Sequence, residues 1–157
     1  MEFLKVNTVY LYSDGGCHGN PGPGGWAWRL VDGDGTVLAE RSGFEGTTTN
    51  NRMELQAVID GLNAARIRFP EPIPTIVVVT DSQYVRQGIT DWIRRWRKNG
   101  WITTAKKPVK NGELWRALDE VNTATGAEWQ WVKGHAGDTH NEACDRLVQE
   151  AIRTGEM

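Results

Sequence analysis

Two kinds of hydrophobic spacing alternate along the chain. Residues 8–13, rich in Val, Tyr and Leu, predict a strand. Residues 15–25, dense in glycine and proline, predict a turn or loop. Residues 25–31 and 36–42 predict two strands joined by Asp32-Gly33-Asp34-Gly35, a strong hairpin signal. Over 51–66 the spacing changes, and Leu55, Val58, Ile59 and Leu62 fall on one helical stripe. Asn51 suits the N-cap of that helix. Three prolines within 69–74 interrupt the chain. Residues 75–80, Thr-Ile-Val-Val-Val-Thr, form a nearly continuous β-branched run that suits a central strand covered on both faces. Short helices are expected at 82–88 and 91–99, another helix at 112–123, and a strand at 128–133. A last helix at 139–153 carries Cys144, Leu147, Val148, Ala151 and Ile152 on one face, and Thr139 and Glu142 have capping-box spacing. This order predicts an α/β fold, a mixed sheet with helices packed on its faces.

A chain of 157 residues with 39% hydrophobic and 24% charged positions suits one globular domain spanning 1–157. It shows no apolar run of membrane-spanning length and no signal peptide, so a cytoplasmic protein without a membrane partner is expected. Cys17 and Cys144 form no metal-binding cluster, which argues against zinc, and both are expected to be reduced.

Charge changes the picture. The net charge is −2, yet residues 93–111 hold seven basic side chains and no acidic one, leaving 11 basic against 20 acidic elsewhere. A basic island on an acidic body points to a local polyanion contact.

Four carboxylates are candidates for the chemistry. Asp14 and Asp81 each follow a predicted strand, and two parallel neighbouring strands would bring them to the same carboxyl edge, where open α/β sheets build their sites. Glu54, in the first turn of the first helix, and Asp145, beside Cys144, border buried helical faces and can be aimed at that edge. Each acid singly has a plain structural role: Asp14 in a turn, Asp81 as a cap, Glu54 completing a capping box with Asn51, and Asp145 at the positive end of its helix. Together they would repel, by about 4 kcal/mol for a pair about 4 Å apart at an effective dielectric of 20. Divalent cations relieve that, and oxygen-only ligands favour magnesium or manganese over zinc. Two such ions suit phosphoryl transfer. His135, between glycines at 134 and 137, is a candidate proton relay; His140 competes for the role, and a solvated loop histidine is the plain alternative.

A contact surface is also legible. Trp92 and Trp96 are spaced i,i+4 among Arg94, Arg95, Arg97 and Lys98, and Trp101, Lys106, Lys107 and Lys110 follow. Aromatics interleaved with cations suit phosphate contact and stacking, with a half-buried tryptophan face as the structural alternative. Trp26, Trp28, Trp115, Trp129 and Trp131 are expected in the core. Gly15, Gly16 and Cys17 permit close backbone approach, while Asn20, Asn50, Asn51 and Gln83 can read a 2′-hydroxyl. Thr49, near helix N-terminal amides, can hold a phosphate.

Long strings within the chain resemble bacterial ribonuclease H of type 1. They are Ser13-Asp14-Gly15-Gly16-Cys17 with the run 19–25, Thr48-Thr49-Asn50-Asn51-Arg52-Met53-Glu54-Leu55, Thr80-Asp81-Ser82-Gln83-Tyr84-Val85, Gly88-Ile89-Thr90, Gly100-Trp101, the run 106–111, and Trp131-Val132-Lys133-Gly134-His135-Ala136-Gly137. The resemblance implies a five-stranded mixed sheet, strands one to three antiparallel and strands four and five parallel to strand one, with helices on both faces. It implies an enzyme that cuts the RNA strand of an RNA–DNA hybrid, leaving 5′-phosphate and 3′-hydroxyl ends. Asp14, Glu54, Asp81 and Asp145 would hold two magnesium ions, with manganese as a substitute, and His135 would assist product release or proton transfer. Cys17, Asn20, Asn50 and Gln83 would face RNA, Thr49 a DNA phosphate, and Trp92 and Trp96 the DNA channel. The segment at about 91–111 would be a basic protrusion that grips substrate, in a protein acting as a monomer. The chain departs from the family at His18, beside the Asp14 loop, and in a longer connection at 67–74. No separate hybrid-binding domain is expected at the N-terminus. The rival readings are another nuclease or integrase of this fold, or a hybrid-binding module without catalysis.

Overall fold

The computed structural model describes residues 7–133 and 138–156. Strands β1 (Thr8–Cys17), β2 (Gly22–Asp32), β3 (Val37–Thr48), β4 (Thr75–Thr80) and β5 (Glu128–Trp131) form one sheet in the order β3-β2-β1-β4-β5. The pairs β1–β2 and β2–β3 are antiparallel, and β1–β4 and β4–β5 are parallel, as expected. The helices are α1 (Asn50–Arg68), α2 (Gln83–Gln87), α3 (Ile93–Asn99), α4 (Gly112–Thr125) and α5 (Thr139–Gly155).

Strand alternation divides the side chains between two layers. On one face Val9, Leu11, Trp28 and Leu30 meet Leu55, Val58 and Leu62 of α1, with Trp115, Leu118 and Val121 of α4 in the same cluster. On the other, Ala27 and Tyr12 meet Cys144, Val148 and Ile152 of α5. β4 is buried at Ile76, Val78, Val79 and Thr80; the chain enters it from β3 through α1, and it lies parallel beside β1.

Several boundaries differ from expectation. The glycine-rich stretch is largely strand: Gly16 pairs with Gly25 and Cys17 with Gly24, so only residues 18–21 turn. Asp14 therefore lies inside β1, opposite Ala27, rather than after it. β3 runs six residues beyond Ser42 to Thr48, and β5 ends at Trp131. The N-cap of α1 is Thr49, whose hydroxyl accepts from the Arg52 amide at 3.3 Å, so Asn51 is inside the helix and Glu54 is past its first turn. Asp138 rather than Thr139 caps α5, accepting from the amides of His140 and Asn141 at 2.9 and 3.1 Å. The helices expected at 82–88 and 91–99 are continuous through a π-helical turn, Gly88–Trp92. Trp26, Trp28 and Trp115 are buried, whereas Trp129 and Trp131 are only half-buried and stack on each other with ring centroids 5.4 Å apart.

Candidate active site

Four elements bring one carboxylate each to a single open cavity of about 400 Å³. Its walls include Asp14 from β1, Glu54 from α1, Asp81 just after β4 and Asp145 from α5. β1 and β4 run in parallel with Tyr12 beside Val79, which carries Asp14 and Asp81 to the same edge of the sheet. Gly15 permits the third approach. A Cβ there would stand 2.5 Å from the Glu54 nitrogen, so only a residue without one lets α1 lie against β1 at this point. The fourth comes with the α5 layer, where the Cys144 thiol faces the Tyr12 carbonyl at 3.6 Å, Val148 stands 3.5 Å from the Cβ position of Gly16, and Asp145 follows Cys144.

The electrostatics match a crowded acidic site. Burial pushes the Glu54 carboxyl up to about 7; the Ser82 hydroxyl opposes this by donating to Oε1 at 2.9 Å, and the neighbouring Asp81 adds to it. Ser82 is buried and also caps α2 through the Val85 amide, 3.1 Å away, a role the sequence suggested for Asp81. Burial, with Asp14 as the largest neighbouring charge, pushes the Cys144 thiol up to about 12, which leaves it an inert packing group. Tyr12 is also raised, mainly by burial and then by Asp138.

The polar residues read as substrate contacts are distributed around this edge. Gly15, Gly16, Asn50 and Asn51 line the cavity. The side chain of Asn20 accepts from the Asn50 amide at 3.1 Å and ties the β1–β2 turn to α1. Cys17 is half-buried, its thiol facing the carbonyls of Gly22 and Thr48, both at 3.3 Å. Thr49 acts as a cap, and Gln83 is exposed at the start of α2. His135, with residues 134–137, lies outside the described residues. His140 is spent structurally: its ring packs on Tyr12 at 5.0 Å and its Nδ1 is 3.3 Å from Arg29.

A second cavity of about 400 Å³ adjoins the first at Asn51 and is lined by Tyr84, Trp92, Arg95, Trp96 and Lys110. Trp92 and Trp96 are half-buried, as the mixed reading expected, with ring centroids 5.8 Å apart, and Trp101 continues the series 5.9 Å from Trp96. Lys98, Lys106, Lys107 and Lys110 are exposed. The basic segment doubles back through an Ile102–Pro108 bridge, with the Thr103 amide donating to the Lys107 carbonyl at 2.7 Å. Its base is fastened by Arg52, which donates to Asn111 at 3.0 Å and Glu113 at 2.7 Å, while Asn111 donates to the Tyr84 hydroxyl at 3.0 Å. Arg52 and Ser82 are positioning residues that sequence reasoning did not single out; both stand inside the strings that carry the family resemblance, but their partners are remote in sequence.

The RNase H family model matches residues 6–153. The chain belongs to the ribonuclease H family. Ribonuclease H of Treponema pallidum subsp. pallidum is 54% identical over 157 residues, covering 93% of this chain and 91% of that protein. Among solved structures, LC9-RNase H1, a type 1 RNase H with the type 2 active-site motif, superposes with a TM-score of 0.81 at 31% identity, covering 98% of this chain and 75% of that one. LC11-RNase H1, solved in complex with RNA/DNA hybrid, shares the fold with a TM-score of 0.75 at 24% identity, over 95% of this chain and 99% of that one. The chain is accordingly an enzyme of the ribonuclease H class, and that family is in general divalent-metal dependent.

The donor set fits such a metal. Four carboxylates supply oxygen ligands, with no thiolate or imidazole among the described residues that line the cavity, the chemistry that magnesium and manganese take. Among the described residues, no three His, Cys, Asp or Glu side chains are already arranged to hold one ion. Glu54, kept protonated up to about 7 by burial and by Asp81, shows the charge stress that a cation would relieve.

Proposed function

We propose that this ribonuclease H hydrolyses the RNA strand of an RNA–DNA hybrid at the four-carboxylate cavity, leaving 5′-phosphate and 3′-hydroxyl ends. The convergence of Asp14, Glu54, Asp81 and Asp145 from four elements supports this reading most directly. Two divalent cations held by these acids would supply charge stabilisation for the attacking and leaving oxygens. The acids fix where hydrolysis occurs. Glu54 is held in place by the Ser82 hydroxyl, while burial and the neighbouring Asp81 disfavour its charged form, a cost that a bound cation would offset. Asn20, Asn50 and Asn51 present amides toward the RNA side, and Cys17 and Gln83 belong to the same face. Trp92, Trp96 and Trp101 offer surfaces for DNA sugars and bases, and Thr49 lies where a DNA phosphate meets the start of α1. Lys98, Lys106, Lys107 and Lys110 attract the backbone without reading sequence. His135 serves proton transfer or product release. On this reading residues 1–157 are one catalytic domain, with the protrusion at about 91–111, acting as a cytoplasmic monomer with reduced cysteines. Both cysteines are free, and no described helix is long and apolar enough to cross a membrane.

The test is incubation with end-labelled RNA–DNA, RNA–RNA and DNA–DNA duplexes of one sequence, with magnesium and with chelator. Magnesium-dependent internal cuts confined to the RNA of the hybrid are expected. Equal cutting of all three duplexes, or cutting in chelator, overturns the proposal.

A further inference from the structure

We infer that Gln149 contacts the substrate from the α5 side of the cavity and that His18 positions it; this rests on the hybrid-cleaving function proposed above. Gln149 follows Asp145 by one turn of α5 and lines the four-carboxylate cavity. Apart from it, every polar side chain brought to that cavity from β1, β4 or α5 is an acid, and the other amides, Asn50 and Asn51, both come from α1. An ionised carboxylate offers no donor, whereas a phosphodiester strand presents acceptors, so Gln149 is the neutral donor that the α5 wall has to offer.

The orientation of that donor is constrained. His18 Nε2 lies 3.0 Å from Gln149 Oε1, a contact spanning 131 residues of sequence. With Nε2–H donating, the carbonyl end of the amide is engaged and its NH2 end is left for the cavity. His18 Nδ1 stands 3.7 Å from a Glu156 carboxylate oxygen. The backbone of His18 is itself fixed, its amide donating to the Pro23 carbonyl at 2.8 Å in the turn after β1. The turn that follows the strand carrying Asp14 thereby sets a side chain on the helix that carries Asp145. An adjoining cavity of about 690 Å³ is lined by His18, Asp145, Gln149 and Arg153, so this pair stands between two open spaces and is not packed into the core. Simple fastening of the turn to α5 is the competing role, and it predicts a loss of stability in place of a change in substrate affinity.

The experiment measures hybrid cleavage kinetics, hybrid binding by fluorescence anisotropy in chelator, and thermal unfolding, for wild type, Gln149→Ala, Gln149→Glu, His18→Ala, His18→Gln and the double alanine variant. Loss of one ordinary hydrogen bond should raise KM for Gln149→Ala about five- to tenfold with kcat within about twofold. Gln149→Glu, which replaces the donor with a charge, should be worse. His18→Ala should raise KM less, His18→Gln should restore it, and the double variant should match Gln149→Ala, because the two residues act as one unit. Unfolding temperatures should stay at the wild-type value. Unchanged KM and anisotropy in Gln149→Ala, additive effects of the two alanine substitutions, or a stability loss that accounts for the change would overturn the inference. Should the wild type fail to cleave hybrid, the proposed function falls, while the anisotropy comparison still decides whether Gln149 touches nucleic acid.

Discussion

Glu54→Gln should make the metal-free protein more stable while abolishing its activity. In the folded chain burial and Asp81 hold the Glu54 carboxyl up to about 7 from an ordinary 4.5. The folded state therefore keeps this proton over a range where the unfolded chain has released it. The stability this group contributes is fully present below 4.5 and is lost as pH rises toward 7. The difference corresponds to an upper limit of ~3 kcal/mol. Glutamine has the same shape, stays neutral at every pH and can still accept from the Ser82 hydroxyl. Urea unfolding in chelator should give nearly equal stabilities for the two proteins at about pH 4.5, a gap that opens through about pH 6, and at about pH 8 an advantage for the glutamine variant on the order of 2–3 kcal/mol. Magnesium at the same alkaline pH should stabilise the wild type far more than the variant, by linkage to the folded state. Equal unfolding free energies there, or a gap independent of pH, would refute the placement of Glu54 as a buried acid under charge stress.

Three further outcomes are expected. Asp14→Asn should abolish cleavage yet leave hybrid binding measurable by anisotropy, if affinity comes from the proposed Lys, Arg and Trp surface; full activity would remove Asp14 from the chemistry. Replacing Lys106, Lys107 and Lys110 by alanine should weaken binding and flatten the log–log salt dependence by about 0.9 for each phosphate that is no longer neutralised; an unchanged slope places the grip elsewhere. Gly88→Ala should destabilise the fold by about 1–3 kcal/mol, as overpacking does, because its Cβ would meet the Trp115 ring, 2.6 Å from Cζ2; an unaltered urea midpoint would contradict the close packing of the π-helical turn on α4.

The five strands were legible because each carries its own pattern, whereas their antiparallel and parallel pairing followed from the family resemblance and not from periodicity. The β-branched run at 75–80 suited a central strand and is one, while the helix at 51–66 joins β3 to β4, which are not neighbours in the sheet. Boundaries were less legible where small residues serve packing rather than turning. Gly16, Gly24 and Gly25 read locally as a loop, yet they sit in a paired ladder, and a Cβ on Gly25 would stand 3.0 Å from the Val148 carbonyl oxygen on α5. Tertiary contact outweighs strand propensity there. The caps shifted in the same direction: Thr49 and Asp138 start their helices one or two positions before the residues that composition favoured, and each side chain accepts from amides of its own first turn.

The candidate site shows the complementary behaviour. Its acids were legible only as a set: each singly suits a turn, a cap or a helix end, but four of them brought to one edge of a sheet would repel without a cation. A sequence keeps such positions charged at a cost in stability when function requires it, and Glu54 carries that cost in its displaced titration. The groups that position Glu54 and the basic segment leave no local trace. Ser82 reaches Glu54 across 28 residues, and Arg52 reaches Asn111 across 59, through side chains that are ordinary for their own segments. Chemistry resides in single residues, whereas its positioning resides in pairs that only the fold brings together. Glu54→Gln and Ser82→Ala should therefore separate: the first relieves the charge stress, while the second leaves the charge in place and removes the hydroxyl that donates to it, raising the pH at which Glu54 ionises further. A pH–stability profile of Ser82→Ala displaced toward higher pH would bear this out, and a profile displaced toward lower pH would show that some other group restrains Glu54.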